Sequence, residues 1–386
     1  MTSEADHPLV ARARELAAKV APRGAEIEAA RRLPDDIRAS LAEAGYFRMF
    51  IEERLGGLEV SPGVVARVCE ALARGDGATG WVTFIGATTA LALSRMTDEA
   101  VGEIFAKPTT LMTGVPAPMG VATKVAGGFR VKGRWQWGSG SPNADWIAGG
   151  CTLVEDGKPL TNSAGVPRSH LMFFPADKVT LLDTWDVTGL CGTGSTDFEV
   201  DDLFVPDRHA SGVLVRENPD RPLFRFPPFG PLSQGVAAVG LGIARAAIDE
   251  FIRLAGGKRP AGATAPLAER AHVQIEVARA QARLASARAF FYESIEAAWA
   301  ASQTSIPALS FTRDMRLATA HAAHEAAAIT QAMYTLAGGT SVYRTSPLQR
   351  YFRDANVATQ HAMVSTTILE TAGRLLLGLE ANTARF

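Results

Sequence analysis

The sequence has few cysteines and no pattern that would pair them. Cys69, Cys151 and Cys191 are the only three among 386 residues, and they lie far apart without a C-x-x-C pair. The chain therefore encodes neither a disulfide framework nor a zinc ribbon. A reducing, cytoplasmic compartment is expected.

The chain also lacks an excess of one charge and a long apolar run. Its 39 basic and 40 acidic residues give a net charge of −1, and no basic block alternates with aromatics. Nucleic acid and anionic membranes are therefore poor candidates as partners. Its most apolar stretch, residues 236–255, contains four charged residues and predicts a buried amphipathic helix rather than a membrane span. No secretory leader is expected at its start.

Familiar nucleotide and hydrolase motifs are missing as well. Gly240-Leu241-Gly242 would begin a dinucleotide fingerprint, but Arg245 occupies the position of the third glycine and the stretch has a helical pattern. Residues 138–140, Gly-Ser-Gly, lie inside a β pattern and lack the context of a nucleophile elbow. A Rossmann-bound nicotinamide and a serine hydrolase are both disfavoured.

One pair of histidines has metal-ligand spacing. His321 and His324 lie three apart on a predicted helix, with Glu325 beside them. No third and fourth ligand are evident, and histidines on the surface of an Ala-rich helix are an equally ordinary explanation. We expect no metal.

Hydrophobic periodicity divides the chain into three parts. Apolar residues recur at helical spacing up to about residue 106, two-residue alternation dominates from residue 111 to about 213, and long Ala-rich helical segments follow. The predicted fold is α+β and multidomain, with a helical domain, a central antiparallel β domain and a C-terminal four-helix bundle. The predicted boundaries are 1–110, 111–215 and 216–386. The predicted bundle segments include residues 268–302, 311–337 and 348–379.

The most unusual stretch lies in the β-patterned part. Residues 133–146, GRWQWGSGSPNADW, contain three Trp and three Gly. Trp offers a flat apolar wall with one donor, and Gly allows close approach of a backbone. Two interpretations are open, a wall for a planar cofactor and a hairpin whose Trp residues fill a core.

Two further segments, taken with this stretch, give a resemblance to a known family. Residues 183–195, DTWDVTGLCGTGS, lead into VDDLFVP at 200–206, and Ala337-Gly338-Gly339 precedes PLQRYFRDA at 347–355. The order of the domains and these three segments resemble the acyl-CoA dehydrogenase superfamily over nearly the whole chain.

The resemblance implies a flavin site. Trp137 would form a wall for the isoalloxazine ring, and the Ser139 hydroxyl would bond near its N5 and O4 edge. Gly140, Thr193, Gly338 and Gly339 match further segments of the family's cofactor site. The resemblance also implies a homotetramer.

Departures from the family pattern indicate a branch. The position of the catalytic Glu that removes a proton from an acyl-CoA is Ala362, and His361 precedes it. The Arg-x-x-Phe-Gly segment is replaced by residues 258–262, KRPAG, and Thr335 stands where a Gln is usual. Because of these departures, the family's usual contacts with the adenosine end of FAD are in doubt.

A His at this point resembles the two-component flavin-dependent monooxygenases of the same fold. In that branch a separate NAD(P)H:flavin reductase delivers reduced FMN or FAD, O2 forms a C4a-hydroperoxide, and a small aromatic or apolar substrate is oxygenated. His361, expected on the last helix and titrating near neutrality, would act as the base. A buried structural His is the alternative.

Other interpretations stay open at this point. An acyl-CoA dehydrogenase with a relocated base, Glu370 or Glu380, and a flavin-free scaffold of the same fold are the alternative functions. A loop containing Phe224, Phe226 and Phe229 is expected either at the substrate mouth or in packing at a domain junction.

Overall fold

The computed structural model describes residues 4–163, 165–212, 221–259, 261–262, 264–384 and 386. The predicted boundary at residues 215 and 216 lies outside the described residues. The last helix before the sheet ends at Ile104, and the first strand begins at Met112.

The N-terminal part is helical, and side-chain caps set its helix starts. Ser61 accepts the Val64 N–H at 3.2 Å and Pro62 occupies the first helical position, while Asp76 accepts the Thr79 N–H at 2.8 Å. Helix α3 begins at Asp35, directly after Pro34. The helices are α1 (Pro8–Val20), α2 (Gly24–Ala30), α3 (Asp35–Glu43), α4 (Pro62–Gly75), α5 (Gly77–Ala90) and α6 (Asp98–Ile104).

Within the described part of the chain the central sheet has eight strands and is mixed, so the prediction of an antiparallel sheet was wrong. The strands are β1 (Met112–Val125), β2 (Gly128–Gly138), β3 (Trp146–Glu155), β4 (Lys158–Pro159), β5 (Ser169–Pro175), β6 (Thr180–Leu182), β7 (Thr196–Pro206) and β8 (Ala210–Gly212). Their order is β6-β7-β2-β1-β3-β5-β8, with β4 paired to β3. Strands β1 and β3 are parallel, because residues 139–145 carry the chain from β2 across to the opposite side of β1.

Most of the Gly and Trp density in residues 133–146 serves the interior of this sheet. Trp135 is fully buried, stacks on Phe198 with ring centroids 5.1 Å apart, and donates its Nε1–H to the Gly150 carbonyl at 2.8 Å. A Cβ at Gly149 would lie 2.6 Å from the Trp135 ring, and one at Gly133 would lie 2.8 Å from it. These glycines make room for an indole of the protein itself, as the packing interpretation predicts.

The C-terminal part contains a four-helix bundle of α8 (Gly230–Gly257), α9 (Ala271–Ser302), α10 (Leu309–Ala337) and α11 (Pro347–Ala358). Helix α8 packs against the other three and also against α4 and α5, so it joins the bundle to the N-terminal helices. The helices α7 (Pro222–Arg225) and α12 (Thr366–Leu376) flank the bundle. None of the described helices is long and apolar enough to cross a membrane.

The last predicted helix is broken in two. After Ala358 the chain leaves the helix, and His361 has extended dihedral angles, φ −69° and ψ 133°, at the start of the 3-10 helix Ala362–Val364. Its Nδ1 accepts the Met363 N–H at 3.2 Å, a local bond that competes with continuation of the helix. His361 therefore lies at a cap between α11 and α12, not on a continuous helix.

Helix α11 also joins the bundle to the β domain. Asp354 Oδ1 accepts the Leu190 N–H at 2.6 Å, and Arg353 donates to the Thr188 carbonyl and pairs with Glu28 at 2.6 Å. A Cβ at Gly189 would lie 2.6 Å from the Arg353 carbonyl, so the two backbones meet where only glycine fits.

Asp354→Asn tests the electrostatics of this joint. Burial raises the pKa of Asp354 from 3.8 to about 7, with Asp76 as a further cause. Since this pKa is raised on folding, the carboxyl stabilises the fold at low pH and loses that contribution as pH rises towards 7. Asn keeps the acceptor for Leu190 but does not ionise.

The melting temperature of the Asn variant relative to wild type should therefore increase between pH 5 and pH 8. Thermal unfolding at both pH values measures this difference. The exposed Asp183, paired with Arg31 at 2.7 Å, provides the control variant Asp183→Asn, which should show no such trend. A difference that shrinks with pH would contradict the assignment.

Candidate active site

A chain of hydroxyl groups lies between the sheet and α5. Thr193 donates its single hydroxyl proton to the Leu190 carbonyl at 2.8 Å, so it accepts from Ser195 Oγ, 2.6 Å away. Ser195 in turn accepts from Ser139 Oγ at 2.6 Å. The Trp81 Nε1–H, which can only donate, donates to Ser139 at 3.0 Å. The direction of every proton in the chain is thereby fixed.

In this chain of hydrogen bonds Ser139 can still accept a hydrogen bond from a ligand, but it has no proton left to donate. Its proton is directed to Ser195 and one lone pair receives Trp81, so its second lone pair is the one available to a ligand. Gly140 follows with φ 80°, and its N–H donates to the Thr193 carbonyl at 2.7 Å. The structure thus brings three predicted site residues, Ser139, Gly140 and Thr193, into direct contact.

A buried hydroxyl without a partner lies beside this cluster. Thr113 Oγ1 has no hydrogen-bond partner among the described residues, and a Cβ at Gly140 would lie 2.9 Å from Thr113 Cγ2. Buried polar groups are normally paired. Thr113 is therefore a further group that a bound molecule would satisfy.

Trp137 combines backbone strain with exposure. Its φ is 65°, in the left-handed region that bulky residues avoid, and it lies where the β2–β7 pairing shifts register between Trp135 and Gly138. Its side chain is 67% exposed, whereas Trp135, two residues earlier, is fully buried. Strain of this kind costs about 1–3 kcal/mol and clusters at functional sites. The bulge presents the indole to the outside of the sheet.

His361 lies across Trp81 from the hydroxyl chain. The two rings make an edge contact with centroids 5.7 Å apart. Burial and, second, the charge of Arg316 lower the pKa of His361 to about 4, so the expectation of titration near neutrality was wrong. Because Nδ1 accepts the Met363 N–H, the neutral ring carries its proton at Nε2.

The remaining predicted site residues lie elsewhere. Gly338 and Gly339 are exposed at the end of α10, and Gly338 has φ 56° and ψ −147°, which side chains rarely adopt. No hydrogen bond among the described residues joins them to Ser139. Lys258 donates to the Ala337 carbonyl beside this turn.

The other residues singled out from the sequence have structural contacts. His324 Nε2 lies 3.1 Å from the Val364 carbonyl, Glu325 pairs with Arg283 at 2.6 Å, and His321 stands beside the Phe290 ring. Within the described residues no group of three or more His, Cys, Asp or Glu side chains could hold a metal. Cys191 is buried and free.

The two interpretations of the Phe loop apply to different residues. Phe226 is buried against Ala298, Met315 and Trp299, which is packing within the bundle. Phe229 lines a cleft of about 120 Å³ between α5, the sheet and the start of α8. Ile85 and Thr89 line the same cleft, one and two helical turns beyond Trp81. A larger cleft of about 810 Å³ between α1, α4, α8 and α9 contains none of the predicted site residues.

Three contributors were not predicted. Trp81 lies in an almost uncharged run, and nothing in the sequence indicated that its indole donates a hydrogen bond to Ser139. Ser195 stood inside a matched segment, but its role depends on pairing across the sheet. Arg316 could have been found, because positions 316, 320, 323 and 327 form one face on which Arg stands among alanines.

The helical domain, the mixed sheet and the helical bundle, in this order, define a fold of the acyl-CoA dehydrogenase type. The family description "Acyl-CoA dehydrogenase, N-terminal domain" matches residues 3–108, and "Acyl-CoA dehydrogenase, C-terminal domain" matches residues 234–366. The chain belongs to this family, within its flavin-dependent monooxygenases.

Three relatives illustrate the branch. The chain is 36% identical to indole-3-acetate monooxygenase of Pseudomonas putida, over 92% of this chain and 89% of that protein. It is 29% identical to the oxygenase component of an FADH2-dependent resorcinol hydroxylase from a Rhizobium species, over 92% and 90%. A solved structure of XiaF from a Streptomyces species, with FADH2 and glycerol, has a TM-score of 0.88 and 26% identity, covering 96% of this chain and 95% of that chain.

Trp137→Gly tests the backbone strain and the proposed flavin contact separately. Glycine adopts a positive φ without steric cost, so the melting temperature should stay the same or rise. Reduced flavin should bind about tenfold more weakly or worse, because one aromatic face is lost. Anaerobic titration of flavin fluorescence measures the affinity.

Asp156→Gly is the matched control, since Asp156 has φ 50° in the exposed turn between β3 and β4. This variant should also lose the strain of a positive φ, but its affinity for flavin should not change. Equal flavin affinity of Trp137→Gly and wild type would exclude Trp137 as a wall.

Proposed function

We propose that this protein is the oxygenase component of a two-component system that hydroxylates a small aromatic substrate with reduced flavin and O2. A separate NAD(P)H:flavin reductase supplies the flavin, as the oxygenase-component relatives suggest. The observation that carries the proposal is the chain of hydrogen bonds from Trp81 through Ser139 and Ser195 to Thr193, with the His361 ring in contact with Trp81.

The cofactor supplies two electrons, so that one atom of O2 enters the substrate and the other leaves as water. In our proposal Trp137 covers the ring face, Ser139 accepts a hydrogen bond at the polar edge, and Gly140 and Thr193 fix the backbone there. The glycines at 338 and 339 would serve a distant part of the cofactor, FMN or FAD.

Burial of the hydroxyl chain keeps water from the reacting edge. Ser139, Thr193 and Ser195 are between 1% and 7% exposed, and Trp81 packs edge-on against Phe84 with centroids 4.9 Å apart. A dry site strengthens each polar contact and suppresses unproductive release of peroxide. The cleft beside Phe229 is the proposed approach for an aromatic ring.

His361 acts, in this proposal, through its Nε2–H. A pKa of about 4 makes the neutral ring a weak base, and Nδ1 is occupied by Met363. We therefore assign His361 as a donor to a polar atom of the substrate or of oxygen in the resting protein. Removing a substrate proton would require the Met363 bond to break first.

Neither base considered for the dehydrogenase alternative is buried. Ala362 is exposed at the position of the family's Glu, and Glu370 and Glu380 are both exposed on or after α12. Oxygenation is therefore the function that the site supports better.

The proposed assembly is a homotetramer in a reducing, cytoplasmic compartment. Large apolar side chains are exposed on the bundle, including Ile252, Ile275 and Leu376, each at least 50% exposed. Subunit contacts would cover them. The three cysteines are free, as expected in a reducing environment.

Ser139→Ala tests the polar edge. The variant loses the acceptor for Trp81 and for a ligand, so hydrogen peroxide should form faster and a smaller fraction of O2 should enter product. The ratio of peroxide to hydroxylated product, measured with chemically reduced flavin, reports this coupling. Ser141→Ala removes a nearby buried hydroxyl that bonds only the Gly138 carbonyl and should leave the ratio unchanged. Unchanged coupling in Ser139→Ala would remove Ser139 from the mechanism.

His361→Asn and His361→Gln test the roles of the two ring nitrogens of His361 separately. Asn preserves a cap for the Met363 N–H but loses the outer donor, so product formation should fall by about 10²-fold or more. Gln places an amide N–H near the Nε2 position and should retain more activity than Asn. Single-turnover rates with reduced flavin and O2 make the comparison, with His321→Asn as the exposed control. A Gln variant no better than Asn would support a base role instead, and wild-type rates in both would exclude His361.

A further inference from the structure

Within the part of the chain that the structure describes, Arg316 is a buried cation without a counter-ion. It lies on α10, is 0% exposed, and none of its three side-chain nitrogens has a hydrogen-bond partner among the described residues. Burying an unpaired charge costs several kcal/mol, so such a group is rarely kept unless it has a task. Burial lowers the pKa of Arg316 to about 10, which leaves it a cation at neutral pH.

Arg316 has an apolar neighbour in Phe386, whose ring lies 5.9 Å from the guanidinium carbon and packs with Ile368 and Ala372. Helix α10, which carries Arg316, also packs against the 3-10 helix Ala362–Val364 that follows His361. The charge of Arg316 acts on His361, whose ring touches Trp81. No carboxylate among the described residues pairs with the guanidinium.

The chemistry of a guanidinium defines its partner. Arg presents a planar fork of donors that matches a carboxylate with two parallel hydrogen bonds. A carboxylate brought by a ligand would satisfy the nitrogens and remove the unpaired charge in one step. It would also cancel the charge that lowers the pKa of His361.

We propose that Arg316 binds the carboxylate of an aromatic acid and so directs the ring of this substrate towards His361 and Trp81. The inference rests on the proposed oxygenase function and narrows its substrate class from small aromatics to aromatic acids. The relative named as an indole-3-acetate monooxygenase acts on such an acid.

A pair of isosteric probes tests the anchor. Indole-3-acetate carries the carboxylate, and indole-3-acetamide has the same ring and shape without the charge. Wild type with reduced flavin, under anaerobic conditions, should bind the acid on the order of 10²-fold more tightly than the amide, as expected for a buried charge pair. Arg316→Gln should bind the two about equally, and Arg316→Lys should keep part of the preference. Calorimetric titration measures both affinities.

The melting temperature distinguishes a ligand anchor from a residue that stabilises the fold, because loss of a stabilising residue would lower it. Arg316→Met removes an unpaired buried charge, so its melting temperature without ligand should equal or exceed that of wild type. Arg313→Gln, three residues earlier on α10 and paired with Asp314 at 2.8 Å, is the control and should leave the acid preference intact.

Several results would overturn the proposal. These are a wild type without acid preference, an Arg316→Gln variant that keeps it, or a variant that loses flavin affinity while the acid-to-amide ratio stays the same. The last result would assign the guanidinium to a flavin phosphate.

Acid binding through Arg316 without oxygenated product in air would support the anchor and contradict the proposed oxygenation.

Discussion

The backbone of Leu190 is the point on which the rest of the site depends. Its N–H donates to Asp354 of the bundle at 2.6 Å, and its carbonyl receives Thr193 at 2.8 Å and Trp185 Nε1 at 3.2 Å. One residue with φ 51° thus fixes both the contact between domains and the last acceptor of the hydroxyl chain. Without this acceptor Thr193 would be free to donate to Ser195, and the direction of all later protons would be lost.

Sequence patterns predicted the order of the domains, because the period of the apolar residues differs between helices and strands. The resemblance singled out Ser139, Gly140 and Thr193, but not the hydrogen bonds that join them. Sequence patterns could not predict the parallel pairing of β1 with β3, which depends on where residues 139–145 cross. They also missed the break at His361, since a three-residue cap leaves a helical pattern almost unchanged. The low pKa of His361 depends on burial and on Arg316, which is distant in sequence and invisible to spacing.

Two features of the site oppose the stability of the fold. Trp137 holds a backbone conformation that favours glycine, and Arg316 buries a charge without a partner. The capped starts of α4 and α5, by contrast, follow the usual rules of backbone preference and polar pairing. Costs of this kind are tolerated where binding, rather than folding, selects a residue.

In the proposed flavin site, the fixed direction of the hydroxyl chain would favour the reduced cofactor over the oxidised one. Ser139 has only a lone pair to offer, so it favours a ligand that brings a donor. A reduced flavin carries an N–H at N5, where the oxidised ring has a lone pair that would repel the hydroxyl oxygen. By thermodynamic linkage, a protein that prefers the reduced ring makes it harder to oxidise by electron loss alone and releases it once spent. The arrangement of three hydroxyl groups would then help turnover by favouring exchange of used cofactor for fresh.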